Sequence, residues 1–263
     1  MKSADYKLSA RQSLTGQWGT MIGMQLITIV ISILISSVLL APFNTSEGSG
    51  SAVSTIVGLL ITFGFSYGLT YASLEVVRGR KANFEMLFVI FKQERYLPAV
   101  LLNMTTKIID TVVSFILMLP IVIVAGVSFI SLYTVSAGNI TEARYVARLI
   151  TGMSGIVVFI FLIVMLLFLV VALLLSAYFQ MLVLVRLDHP NLSLGEVYRE
   201  TNRLLMGKWG QLLKLELSFI WLYIAGVFTL CIAYLWIIPY QDVAVSTFYD
   251  VMKNGEQEDQ WVD

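Results

Sequence analysis

Charge is scarce in this chain. Of its 263 residues only 13% are Asp, Glu, Lys or Arg, and the 17 basic and 17 acidic residues cancel. Soluble domains carry about 25% charged residues, so this share is too small to clothe a water-facing surface. Zero net charge also removes the long-range field that draws basic proteins to nucleic acid, which is not an expected partner. The single cysteine, Cys231, excludes an internal disulfide and a cysteine metal cluster. The single histidine, His189, lies between Asp188 and Pro190 and reads as a loop residue. Zinc needs several convergent ligands, and no HExxH spacing occurs, so no metal is expected. P-loop, GxSxG and Rossmann fingerprints are missing, and the polar stretches are too short for a separate catalytic domain. Neither an enzymatic activity nor a cofactor is expected. No small-x-small site follows the first apolar stretch, so the N-terminus does not read as a cleavable signal.

What is abundant is apolar sequence. Hydrophobic residues make up 58% of the chain, and the mean hydropathy is +0.83. Several runs reach the roughly 20 residues that cross about 30 Å of hydrocarbon. The fold class is therefore all-α, a polytopic transmembrane helical bundle. Spans are expected near Thr20–Leu40, Ala52–Leu74, Thr111–Tyr133 and within Gly152–Val185, with a final apolar region from Gln211 to about Met252. Pro42 and the stretch 44–51, without Lys or Arg, read as the first outer loop. The apolar sequence from Pro98 to Tyr133 exceeds one span, and Pro120 is a candidate bend within it.

Three amphipathic segments precede or separate the spans. Ser193 and Glu196 have capping-box spacing, and Leu194, Val197, Thr201, Leu204 and Leu205 follow at helical period with Arg199 and Arg203 on the wetter face. Gly207 suits a left-handed helix end, and Trp209 suits a membrane–water boundary. Leu14-Thr15-Gly16-Gln17-Trp18-Gly19 repeats that arrangement after weak amphipathicity around Tyr6, Leu8, Ala10 and Leu14. Phe84, Leu87, Phe88 and Phe91 supply the middle segment, with Asn83 as its N-cap. All three read as interfacial helices, ledges on the cytosolic side, although the middle one could equally pack on the bundle.

Orientation follows from the basic residues. Lys2, Lys7 and Arg11 precede the first span; Arg78, Arg80, Lys81, Lys92 and Arg95 lie between the second and third. Arg186, Arg199, Arg203 and Lys208 lie after the fourth, whereas the outer loops carry only Arg144 and Arg148. By the positive-inside rule the N-terminus is cytosolic. The final region holds either one span to Pro239 or a hairpin turning near Cys231, giving five or six spans. Six is preferred, because each ledge then precedes a hairpin: 1–75, 76–186 and 187–252, followed by the polar tail 253–263.

Ionisable groups at membrane depth are the default functional candidates. Asn103, Lys107 and Asp110 share one helical stripe, and Lys107 and Asp110 can pair across a turn. Against a polar site stands the reading that Lys107 snorkels at the boundary, which is favoured. Asp242, beside Tyr240 and Gln241 and just after Pro239, is the second candidate, since broken helices line transporter sites. Lys214 and Glu216 read as boundary charges. Gly64 and Gly68 form a small-xxx-small pair for helix packing, with a cleft lined by Tyr67 and Tyr71 as the rival reading. Trp18 and Trp209 are the expected interfacial anchors.

The order of several short motifs resembles domain of unknown function 975, a family of bacterial multi-pass proteins. They are Ala10-Arg11 with Leu14 and Gly16, Leu205-Met206-Gly207-Lys208, Leu217-Ser218-Phe219-Ile220-Trp221, Leu235-Trp236-Ile237-Ile238-Pro239-Tyr240, and Phe248-Tyr249. The resemblance implies an integral protein of the bacterial cytoplasmic membrane whose end, around Phe248-Tyr249-Asp250, returns to the cytosol. Relatives have small residues at the presumed last turn, where this chain has Cys231-Ile232-Ala233. No activity or catalytic residue comes with it. The expected role is non-enzymatic, accessory, regulatory or envelope-associated; the alternative is a small transporter or channel with an intramembrane polar site. The expected partners are the lipid bilayer and another membrane protein or a second copy of the chain.

Overall fold

The computed structural model describes residues 2–40, 58–91, 93–136, 140–230 and 232–259. The loop expected at 44–51, Cys231 and the end of the acidic tail lie outside the described residues. The described secondary structure is helical throughout. In chain order it comprises α1 (Ser3–Ser13), α2 (Trp18–Leu40), a π-helical turn (Gly58–Thr62) leading into α3 (Phe63–Val77), and a 3₁₀ helix (Phe84–Phe91). There follow α4 (Gln93–Ser136), α5 (Ile140–Asp188), α6 (Leu194–Leu205), α7 (Trp209–Leu217), α8 (Ile220–Phe228) and α9 (Tyr234–Asp259). By packing the chain divides into two compact units, residues 1–106 with 176–263, and residues 107–175.

Five helical stretches are long and apolar enough to cross a membrane: Trp18–Ile35, Leu60–Val77, Tyr96–Leu119, Leu162–Asp188 and Trp209–Phe228. The third begins well before the expected Thr111. It takes in Lys107 and Asp110, because two charges of opposite sign barely dilute so apolar a run. The fourth continues to Asp188 rather than ending at Val185. Helix α4 spans 44 residues, about 66 Å at 1.5 Å per residue and roughly twice the hydrocarbon thickness.

The first unit holds the core, and all three ledge segments contribute to it. In α1, Tyr6, Ala10 and Leu14 fall on one face and are buried, Tyr6 meeting Phe248 of α9 edge to face at 5.3 Å. Leu8, expected on that face, is 59% exposed; two residues on from Tyr6, it points roughly 200° away round the helix. The apolar face of α1 thus packs on protein. Helix α6 buries Val197, Thr201, Leu204 and Leu205 in the same way. Its capping box is complete, with Ser193 N donating to Glu196 Oε2 at 2.7 Å and Glu196 N donating to Ser193 Oγ at 3.4 Å. Gly207 ends the ledge with φ of 73°, and Gly16 ends the first with φ of 80°. Both values lie in the left-handed region that a Cβ disfavours.

The middle segment differs from expectation. It is a 3₁₀ helix that buries Leu87, Val89 and Ile90, while Phe84, Phe88 and Phe91 remain exposed. Asn83 Oδ1 accepts from Glu85 N at 3.3 Å at its start. Its seat is the glycine pair of α3. A Cβ on Gly68 would lie 2.5 Å from Leu87 Cα, and one on Gly64 would lie 2.7 Å from the Phe91 ring. Tyr67 is buried beside them against Ile90, and Tyr71 is half-buried.

At the far end, α8 and α9 form an antiparallel hairpin. Tyr234 packs its ring over Gly226, and its hydroxyl donates to the Tyr223 carbonyl at 3.1 Å. The turn contains no glycine among its described residues; instead Leu230 takes φ of 52°. That conformation costs an L-residue with a bulky side chain about 1–2 kcal/mol.

Two predictions follow from these geometries. Gly68→Ala should lower the unfolding midpoint in detergent, by about 2 kcal/mol, since backbone of the 3₁₀ helix must move. Gly195→Ala, where a Cβ meets nothing within 4 Å, should leave the midpoint unchanged or raised. Leu230→Asn, whose side chain tolerates the left-handed region, should stabilise by about 0.5–1 kcal/mol in the same assay, and Leu230→Val should destabilise.

Candidate functional site

Two polar groups lie within the first unit. One gathers at the ends of α3 and α5. Pro190 disfavours helical geometry for His189 and so ends α5 at Asp188; α3 closes at its C-cap, Arg78. The guanidinium of Arg78 grips Asp188 with two parallel bonds, Nη1 to Oδ1 and Nη2 to Oδ2, each 2.7 Å. Its Nε donates to Asp250 Oδ1 at 3.1 Å. Asp188 Oδ2 also accepts from the Tyr249 hydroxyl at 2.8 Å and Lys253 Nζ at 2.7 Å. Tyr249 and Lys253 are one turn apart on α9, so a single face reaches Asp188.

The Asp188 side chain is only 8% exposed. A carboxylate so placed must be paired, and two cations against two carboxylates leave the group neutral. The hydrogen bonds to Asp188 hold the Arg78 proton more tightly than usual, against the opposing effect of burial. Chemically this is a clamp: both Asp188 oxygens are occupied by the protein itself. Arg186 is buried nearby in sequence and donates through Nη1 to the Leu192 carbonyl, fixing the loop that leads to α6.

The second group lies deeper, where α5, α7, α8 and α9 meet. On α7, Leu212, Leu215, Glu216 and Phe219 beyond its end are all buried, so Glu216 occupies an otherwise apolar face. Lys214 is exposed, as a boundary charge would be, but Glu216 is 1% exposed and is not one. Gln241 Nε2 donates to Glu216 Oε2 at 2.5 Å, and Gln241 Oε1 accepts from the Tyr223 hydroxyl. Next along α9, Asp242 accepts from Gln180 Nε2, at 3.2 Å through its carbonyl and 3.4 Å through Oδ1. Glu216 Oε1 has no hydrogen-bond partner among the described residues.

The candidates read from the sequence fall in different places. Lys107 and Asp110 belong to the second unit, where they pair at 3.9 Å with both side chains well exposed. Asn103 belongs to the first unit, is half-buried, and accepts through its carbonyl from the Thr106 hydroxyl at 2.9 Å. Asp242 also belongs there, next to Gln241 and against Gln180. Trp18 is partly buried and packs against Tyr240, ring centroids 6.1 Å apart, whereas Trp209 is exposed along one side and packs on Tyr178 at 5.5 Å. His189 is exposed, and the described residues contain no cluster of three or more His, Cys, Asp or Glu that could hold a metal. The partners of Asp188 went unnoticed in the sequence because they lie 61 to 110 residues away. Glu216 did leave a signal, a carboxylate on the i, i+3, i+4, i+7 stripe of α7.

These features belong to a helical chain that the comparisons place in a family. Residues 1–256 match the family described as "Protein of unknown function (DUF975)", and the chain belongs to it. Neither a curated protein nor a solved structure matches the chain.

Breaking the clamp on one side strands a charge. Asp188→Asn should destabilise the chain by about 3 kcal/mol, and Arg78→Gln by a similar amount. The double variant should lose clearly less than the sum. Detergent unfolding of the three variants measures this coupling.

Proposed function

We propose that this chain is a six-span protein of the bacterial cytoplasmic membrane, with both ends in the cytosol, and that it acts without catalysis. Its role is that of an accessory or regulatory partner of another membrane protein. The observation that carries the reading is the Asp188 clamp. Its acceptors are consumed internally and its charges cancel, which suits a fixed frame better than a reacting centre. The apolar windows Leu60–Val77 and Leu162–Asp188 both end at it, and Arg80, Lys81, Arg199 and Arg203 follow in sequence on that side, as the positive-inside rule requires of the cytosol. Helix α9 runs from the distal turn back to the same clamp, which supports a sixth crossing. The ledges, seated on the bundle through their apolar faces, would present Arg199 and Arg203 to the headgroup region.

A second reading, transport, draws support from the buried carboxylate Glu216 and the half-buried Asp242, since such groups line intramembrane pathways. One pair of experiments separates the two. The purified chain in vesicles should show no ion flux of its own. After cross-linking in intact cells, the tagged chain should bring down one membrane protein in fixed ratio, and that protein, tagged in turn, should bring down this chain. Recovery of the chain alone, together with flux in vesicles, would replace the accessory role by transport. For topology, a cysteine placed at the C-terminus in a Cys231→Ser background should react with an impermeant reagent only after the cytosolic side is opened; labelling from outside would reduce the spans to five.

A further inference from the structure

We propose that Glu216 and Asp242 together hold one positive charge, a proton or an alkali cation, at a site walled by α5, α7, α8 and α9. Glu216 is almost wholly buried, yet only one of its oxygens is bonded, and its free Oε1 has no partner among the described residues. Asp242 directly follows Gln241, whose amide bonds Glu216, and receives Gln180 from α5, so both carboxylates border the same junction of helices. No Lys or Arg pairs with either carboxylate among the described residues. Glu216 is enclosed and Asp242 is half-buried at the same junction, so ionising both sets like charges against each other in a medium of low dielectric, and a buried anion without a counter-charge is strongly disfavoured. One added cation removes both penalties.

The surroundings favour a small occupant. Gln241 holds Glu216 Oε2 while its own Oε1 is taken by Tyr223, and Gln180 holds Asp242 Oδ1, so the polar side chains orient the carboxylates and leave Glu216 Oε1 free. On α5, the Tyr178 hydroxyl donates to Asn202 Oδ1 at 3.2 Å, Arg186 is held by the Leu192 carbonyl, and Asp188 is held in the clamp. Tyr223 on α8 bonds Gln241, and Tyr234 on α9 bonds the Tyr223 carbonyl. Lys7 on α1 donates to the Ser218 carbonyl at 2.9 Å and lies 4.3 Å above the Phe219 ring. Tyr240 donates to the Lys7 carbonyl at 3.1 Å, and Arg11 and Lys214 are exposed. None of these cations pairs with the carboxylates, and the inference is independent of whether the chain works alone or with a partner.

The test is carboxyl-group infrared spectroscopy of the purified full-length chain in detergent, titrated with base in choline chloride and separately with sodium chloride at neutral pH. The parent should show a protonated-carboxyl band. Loss of the band on alkalinisation alone identifies the occupant as a proton; loss on adding sodium, but not choline, identifies an alkali cation that displaces it. Glu216→Gln should abolish the band. Asp242→Asn removes the neighbouring negative charge, so Glu216 should release its proton at lower pH than in the parent. A parent without the band and without a sodium response would overturn the proposal, as would a band that survives unchanged in both variants.

Discussion

Asp188 accepts Arg78, Tyr249 and Lys253 at once, and much of the first unit depends on that convergence. A carboxylate at the end of an apolar helix is costly unless paired, so the three donors are drawn from wherever the fold can bring them. They come from the end of α3 and from one face of α9, segments separated by more than 100 residues of chain. Joining them sets the ends of α3 and α5 level and directs α9 towards the same boundary. The bidentate geometry of Arg78 adds direction as well as charge, since its planar fork fits Asp188 in only one orientation.

Helix α9 shows what this constraint produces. Residues 243–249 are buried without a break, two full turns covered on every side. Its neighbours are α1, α2, α3, α7 and α8. A helix enclosed in that way faces protein rather than lipid and has no need of a uniformly apolar surface. Ser246, Thr247 and Tyr249 are tolerated there, and Gln241 and Asp242 can be held on its flank. That is the physical reason hydropathy picks out five stretches and passes over α9. Gln241, Asp242 and Asp250 lower the hydropathy of α9, and its protein neighbours accommodate them. The ledge α1 belongs to the same argument, because Tyr6, Ala10 and Leu14 form part of the sheath around α9.

Features legible in the sequence were those whose physics is local. The Ser193–Glu196 box, the left-handed Gly207 and the buried stripe of α6 each depend on residues within a few positions of one another. The close approach allowed by Gly64 and Gly68 was readable too, but not the identity of the element that uses it. Gly68 seats Leu87 while Phe88 stays exposed, a choice that the apolar pattern of residues 84–91 does not specify. The last turn was obscure for a related reason. Leu230 bears a conformation that local chemistry disfavours, so no turn residue announces it. Asp188 and its partners were illegible because nothing near any one of them specifies the others.

The two polar groups differ in saturation more than in charge. Around Asp188 two cations meet two carboxylates, and the donors nearly exhaust the acceptors. Around Glu216 the same fold places two carboxylates with amides and a tyrosine, and leaves one buried oxygen unbonded. Maintaining such a deficit costs about 1–3 kcal/mol for an unsatisfied acceptor and more for a charged one. A Gln or Leu at position 216 would remove that cost while filling similar space on α7. A structural role therefore accounts for Asp188 but leaves Glu216 unexplained. A carboxylate that the frame holds in place without satisfying it has its remaining capacity open to something that enters from outside the fold.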